Sequence, residues 1–141
     1  MTRDEVLAII DAAYAARIAG DLDTLRALGA EGGIFELAGE TTLLRNFPVA
    51  GRVPALNAVK GLTDLIKMLE IERLDAIVEG NRAAVLSHAR LSFAGRAPFD
   101  TVLYDLIELD DDGRFCSMIQ FADTARYAAE MEALQAHHNG R

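Results

Sequence analysis

Three strand-length runs follow one another in the second half of the chain, at 82–93, 98–109 and 114–121, with only "AGRA" and "DDDG" between them. Both links carry the Gly of tight reversals, and "DDDG" adds Asp, so the runs predict consecutive antiparallel hairpins. A weaker strand pattern at 73–79 precedes them. A sheet of this kind must bury one face, and everything upstream has to supply the cover.

The upstream pattern is helical. Val6, Ile9, Ile10, Ala13, Tyr14, Arg17 and Ile18 recur at helical spacing over residues 4–19. Gly20 is placed to end that helix in a left-handed conformation, and Asp21 to cap a shorter one over 22–28. After Gly32 and Gly33, "IFELA" reads as a short strand. "KGLTDLIKMLE" predicts a third helix, with Leu62, Leu65, Ile66 and Leu69 on one stripe and a start as early as Pro54. A last helix is expected from Thr124 to about Ala136, capped by Asp123, followed by a disordered tail at 137–141. Residues 39–56 carry Pro48, Gly51 and Pro54 and no periodicity. That is long for a plain connection, and 39–60 is expected to cover a pocket mouth.

This order gives one α+β domain over 1–141: a curved antiparallel sheet wrapped around the N-terminal helices, cone-shaped, with one deep pocket. At 141 residues the chain is long enough to build a core without staples. Its net charge of −8, with scattered Lys and Arg, argues against nucleic acid and anionic membrane surfaces as partners. A single cysteine, Cys116, excludes an internal disulfide and fits a reducing compartment. The early charges of "MTRDEVLAIID" and the lack of a long apolar run make the cytoplasm the expected location. "DDDG" lacks the alternation and distal Glu of a calcium loop, and His137 and His138 have no convergent partners, so no metal and no cofactor is expected.

The strand Val102 to Leu109 carries the functional question. It puts Leu103, Asp105, Ile107 and Leu109 on one face and Val102, Tyr104 and Leu106 on the other. A carboxylate between Leu103 and Ile107 is costly to bury, so Asp105 needs a partner, a proton or a cavity.

The stretches "AYAARIAGDLDTLRAL", "IFELAG" and "YDLIELDDDGRFCSM", with the closing "FADTARYA", resemble the SnoaL-like group of the nuclear transport factor 2 superfamily, which has a cystatin-like fold. Ketosteroid isomerases, limonene epoxide hydrolases and polyketide cyclases share that scaffold, which hosts many functions. The resemblance implies that the Asp105 face looks inward and that Asp105 matches the aspartic acid which isomerases use, protonated, as an oxyanion donor. The isomerases' proton-shuttling aspartate falls on Leu37, and their tyrosine on Ala13, one residue from Tyr14. The hydrolases' Asp-Arg-Asp set falls on Ser92, Arg90 and Gln120, keeping only the arginine.

With that face inward, the partner strand is expected to present Leu86, His88, Arg90 and Ser92 beside Asp105, and the next strand Met118 and Gln120. The expected catalytic pair is Asp105 and His88. The expected ligand-binding residues are Tyr14, Phe35, Leu37, Arg90, Leu103, Met118 and Gln120. An alternative for Asp105 and Arg90 is a buried ion pair that fixes strand register. Two functions follow: a cofactor-independent acid-base enzyme (isomerase, cyclase or hydrolase-like) on a small apolar oxygenated metabolite, or a non-catalytic binding or interaction module. Apolar residues on the opposite faces, with Val85, Ala89, Leu91 and Phe93 counted among them beside Val102, Tyr104, Leu106, Phe115, Ile119 and Phe121, predict a homodimer.

Overall fold

The computed structural model describes residues 1–39, 47 and 51–139. Helix α1 (Arg3–Ala19) and helix α2 (Leu22–Leu28) lead into strand β1 (Gly29–Ala38), then β2 (Gly51–Pro54), helix α3 (Ala55–Leu65), the strands β3 (Ile66–Glu79), β4 (Arg82–Phe93), β5 (Phe99–Leu109) and β6 (Phe115–Phe121), and helix α4 (Thr124–Asn139). The six strands form an open sheet in the order β2-β1-β6-β5-β4-β3.

The helix boundaries follow local chemistry. Thr2 and Glu5 form a reciprocal capping box at the start of α1, and Gly20 closes the helix with φ 69°. Asp21 accepts from the Thr24 amide at the start of α2, as its sequence predicts. The "DDDG" link is a tight turn in which Asp110 Oδ1 accepts from the Asp112 and Arg114 amides.

Three local expectations are corrected. The sheet is mixed, because β1 pairs with β6 in parallel. That pairing extends β1 back to Gly29, with a register shift before Ile34. Gly33 permits the close approach there, since a Cβ would lie 2.9 Å from the Phe115 carbonyl. The third helix ends at Leu65 instead of running to Glu70, and Ile66 opens the long strand β3. Ile66 and Met68 alternate with exposed Lys67, and pairing Ile66 with Phe93 and Met68 with Leu91 outweighs the helical spacing. Finally, residues 51–56 are a strand and the start of a helix, not irregular chain.

Residues 40–46 and 48–50 of the expected cover lie outside the described residues. Helix α4 continues to Asn139, past the expected start of the tail at 137, and residues 140–141 lie outside the described residues.

All four helices pack on one face of the sheet. One cluster joins α1 (Val6, Ile10, Tyr14) to Val85, Ile107 and Leu109. The other gathers Phe35, Leu37, Met68, Leu91, Phe93 and Leu103 under Ala58 of α3 and Tyr127 of α4, with the Phe93 and Tyr127 rings meeting edge-on and Phe47 packed beside both. Glu130 of α4, buried, accepts from Arg96 in the β4–β5 turn at 2.6 Å and pairs with Arg126 at 3.1 Å. Burial works against the Glu130 carboxylate, but the two guanidinium groups outweigh it and hold its pKa down. Along β5, Leu103 belongs to the second cluster and Ile107 to the first. Asp105 sits at the seam.

Candidate functional site

Asp105 is completely buried and its carboxylate accepts two hydrogen bonds. Tyr14 donates its hydroxyl to Oδ2 at 2.7 Å, and Gln120 donates Nε2 to Oδ1 at 3.0 Å. Backbone pairing sets this up: Asp105 lies opposite Gln120 on β6 and opposite Val85 on β4. Tyr14 arrives from α1 because it shares the helix's inward stripe with Val6 and Ile10.

The electrostatics follow from burial. Desolvation raises the Asp105 pKa from 3.8 to about 6, against the downward pull of the Tyr14 and Gln120 hydrogen bonds. The Tyr14 phenol is pushed well above its usual range by burial first and the adjacent Asp105 charge second. Ser87 also approaches Tyr14 and acts weakly in the opposite direction, although its buried Oγ has no hydrogen-bond partner among the described residues.

In front of this group lies a cavity of about 150 Å³. Of the expected ligand-binding residues, Tyr14, Phe35, Leu103, Met118 and Gln120 line it. Leu28, Ile34, Val59, Leu62 and Leu91 make most of the remaining wall apolar. Asp105 does not reach the cavity; it stands behind Tyr14 and Gln120. Leu37 is buried in the core and does not line the cavity either.

His88 and Arg90 are corrections. Leu91 pairs with Phe99, and the register carries Val85, Ser87, Ala89, Leu91 and Phe93 inward, so His88 and Arg90 stand on the outer face. There both meet Asp100, at 3.3 Å and 3.1 Å, and neither is near Asp105. A shift of one residue in the assumed pairing exchanged the two faces of β4. The buried Asp105–Arg90 ion pair does not exist, and its place is taken by Tyr14 and Gln120.

Two polar lining residues were missed. Tyr127 of α4 lines the cavity, its phenol raised by burial and then by the Asp105 charge. Arg17 of α1 lines it too, donating from one terminal nitrogen to the Leu62 and Ile66 carbonyls at 3.1 Å and 2.6 Å. Burial pulls the Arg17 pKa down to about 10. The signal was in the sequence: Arg17 interrupts the apolar stripe one turn after Tyr14.

Cys116 donates its thiol to the Glu108 carbonyl, and burial and Glu108 push its pKa up, which disfavours the thiolate. Among the described residues no cluster of three or more His, Cys, Asp and Glu side chains is placed to hold a metal, and no helix is long and apolar enough to cross a membrane.

The architecture matches solved structures closely. A nuclear transport factor 2-like protein from Burkholderia xenovorans superposes with a TM-score of 0.69 at 20% identity, covering 92% of this chain and 98% of that one. The chain has a nuclear transport factor 2-like fold. A proposed isomerase from Rhodopseudomonas palustris gives a TM-score of 0.73 at 17% identity, covering 96% and 99% of the two chains. An epoxide hydrolase of the LEH-like type from Mycobacterium tuberculosis gives 0.69 at 15% identity, covering 98% of each. No family model and no curated protein matches the sequence. Since solved structures with different named activities superpose on this chain with TM-scores of 0.73 and 0.69, the fold leaves the reaction open and the pocket carries the chemistry.

Proposed function

We propose that the chain takes a small, mostly apolar, oxygenated metabolite into this pocket and handles a proton on it without a cofactor, as an isomerase, cyclase or hydrolase-like catalyst would. The observation that carries the reading is the 2.7 Å hydrogen bond between Tyr14, on the pocket wall, and Asp105, sealed behind it. With Asp105 ionised, the Tyr14 proton points away from the pocket. With Asp105 protonated, the carboxyl donates to the phenol oxygen and Tyr14 turns its own proton toward a ligand oxygen. A pKa of about 6 keeps both arrangements accessible near neutral pH. Tyr14 would touch the ligand; Asp105 would act through it as a positioning and proton-storing group.

The second reading, a binding module, draws on one specific feature. Among the described residues lining the pocket there is no carboxylate, histidine or lysine to serve as a second acid-base group. A homodimer through the outer sheet face accompanies either reading. Val102, Tyr104 and Phe121 are exposed there, while Tyr127, Met131 and Leu134 of α4 pack against the inner core and leave that face uncovered.

Cyclohexanone in heavy water tests both readings, because its α-protons exchange when an acid polarises the carbonyl and a solvent molecule takes the α-proton. Chemical shifts at Tyr14, Phe35, Leu103, Met118 and Gln120 should move on binding, and deuterium uptake should exceed the buffer rate in wild type and fall in Tyr14→Phe. Binding without accelerated exchange would leave the module reading. No binding at all would remove both.

A further inference from the structure

Six of the ten described arginines are paired with a carboxylate, and three of the other four, Arg3, Arg82 and Arg114, are exposed to solvent. Arg26, Arg52, Arg73, Arg90, Arg96 and Arg126 each lie within salt-bridge distance of a carboxylate. The remaining one, Arg17, has no carboxylate within salt-bridge distance among the described residues, although it stands in an apolar pocket wall where an unpaired charge is most costly.

Its contacts leave it half used. One terminal nitrogen donates to the Leu62 and Ile66 carbonyls at the α3–β3 junction, which fixes the side chain against the pocket. The Nε and the other terminal nitrogen donate to no partner among the described residues. A guanidinium carries five N–H donors in a planar fork, so two backbone acceptors leave most of the fork open. Leu62 and Ile66 themselves line the cavity, which places the fork at its edge. Arg17 is the only Lys, Arg or His among the described lining residues, and no acid lines the wall opposite it. Desolvation does not discharge it, since even a pKa of about 10 leaves the group cationic at neutral pH.

We propose that the ligand of this pocket is a compact apolar acid whose carboxylate or enolate oxygen lies against the open side of the Arg17 guanidinium. This rests on the pocket reading above and narrows it from an oxygenated metabolite to an anionic one. The chain's net charge is −8, so the attraction for an acid would come from this one residue. Tyr14, one turn earlier on the same helix face, is the polar group nearest in sequence to share the ligand's oxygens.

Benzoate and its neutral isostere benzamide separate the possibilities on the purified full chain, titrated by NMR. Benzoate should bind about tenfold more tightly, the scale of hydrogen bonds to a charged group. The Arg17 Nε–H resonance should move with benzoate and not with benzamide, which holds whether or not a variant folds. Arg17→Gln should lose the preference for the acid, and Arg17→Lys should keep part of it through its charge. Equal binding of the two probes would overturn the acid proposal and leave the pocket reading standing. A benzoate preference that survives Arg17→Gln would overturn the assignment to Arg17, as would a silent Arg17 Nε–H. If neither probe binds, the pocket reading falls with it.

Discussion

Tyr14 and Asp105, 91 positions apart in the chain, are joined by a 2.7 Å hydrogen bond that ties helix α1 to the centre of the sheet. The bond gives a fully buried carboxylate a donor, and it couples the protonation of that carboxylate to the direction in which a pocket phenol points. Several measurable consequences follow from this one contact and from the faces on which its neighbours lie.

Stability should fall with rising pH between about 4 and 6. The Asp105 pKa is raised from 3.8 to about 6 in the folded state, so the folded chain holds the proton more tightly than the unfolded one. The stabilisation is complete below 3.8 and is lost as pH rises through 6, on the order of 3 kcal/mol for this group. Asp105→Asn should flatten the profile over that window and stay folded, because no cation is left unpaired. Denaturation midpoints at several pH values check this. An unchanged profile in the variant would refute it.

Tyr14→Phe removes one of the two donors to Asp105 and should cost about 1–3 kcal/mol, the range for stranding a buried acceptor. The loss should be larger above pH 6, where the carboxylate is ionised, than below pH 4. The same change removes a hydrogen bond that lowers the Asp105 pKa, so the pH window of falling stability should extend upward. Paired melts at the two pH extremes would show it.

How far this was legible in the sequence differs between strand β5 and strand β4. The face of β5 was readable because Asp105 sits among Leu103, Ile107 and Leu109, and only one arrangement buries all three. On β4 the even positions Leu86, His88, Arg90 and Ser92 are as plausible a pocket wall as the odd positions Val85, Ser87, Ala89 and Leu91. Only the pairing of Leu91 with Phe99 decides between them, and that depends on how the "AGRA" turn closes. Likewise Ile66 fits a helical stripe as well as a strand, and its pairing with Phe93 across the sheet settles the matter. Tyr14 was visible as an aromatic on the inward stripe, whereas its bond to Asp105 required knowing that α1 crosses β5.

His88 and Arg90 should prove dispensable for ligand binding. Their side chains are 38% and 39% exposed on the outer face, sharing Asp100. Half-solvated pairs of this kind contribute roughly 0–1 kcal/mol. His88→Ala and Arg90→Ala should therefore leave the benzoate titration unchanged and lower the melting temperature slightly. A loss of binding in either variant would contradict the outward placement.

The outer face itself makes the last prediction. Strand register places Phe121, Tyr104 and Leu86 in one row across it, and Ile119, Leu106, Ala84 and Ile77 in the next. Tyr104 and Phe121 meet edge-on with ring centroids 6.4 Å apart, and Val102 and Ile77 are 51% and 68% exposed. This patch is smaller than the sequence suggested, since Val85, Ala89, Leu91 and Phe93 belong to the interior and Phe115 lines the pocket. It is nevertheless contiguous, and its charged neighbours lie at its margins: Arg82, Glu108 and Glu79 on one side, His88, Arg90 and Asp100 on the other. A second copy related by a two-fold axis would set apolar rows against apolar rows and let Arg90 and Glu108 meet water or each other at the rim. Val102→Glu and Tyr104→Glu alter only exposed side chains, so each should fold normally while weakening the pair. Light scattering should give about twice the 15.3 kDa chain mass for the wild type and the single-chain mass for the variants at micromolar concentration. A single-chain mass for the wild type would refute the dimer.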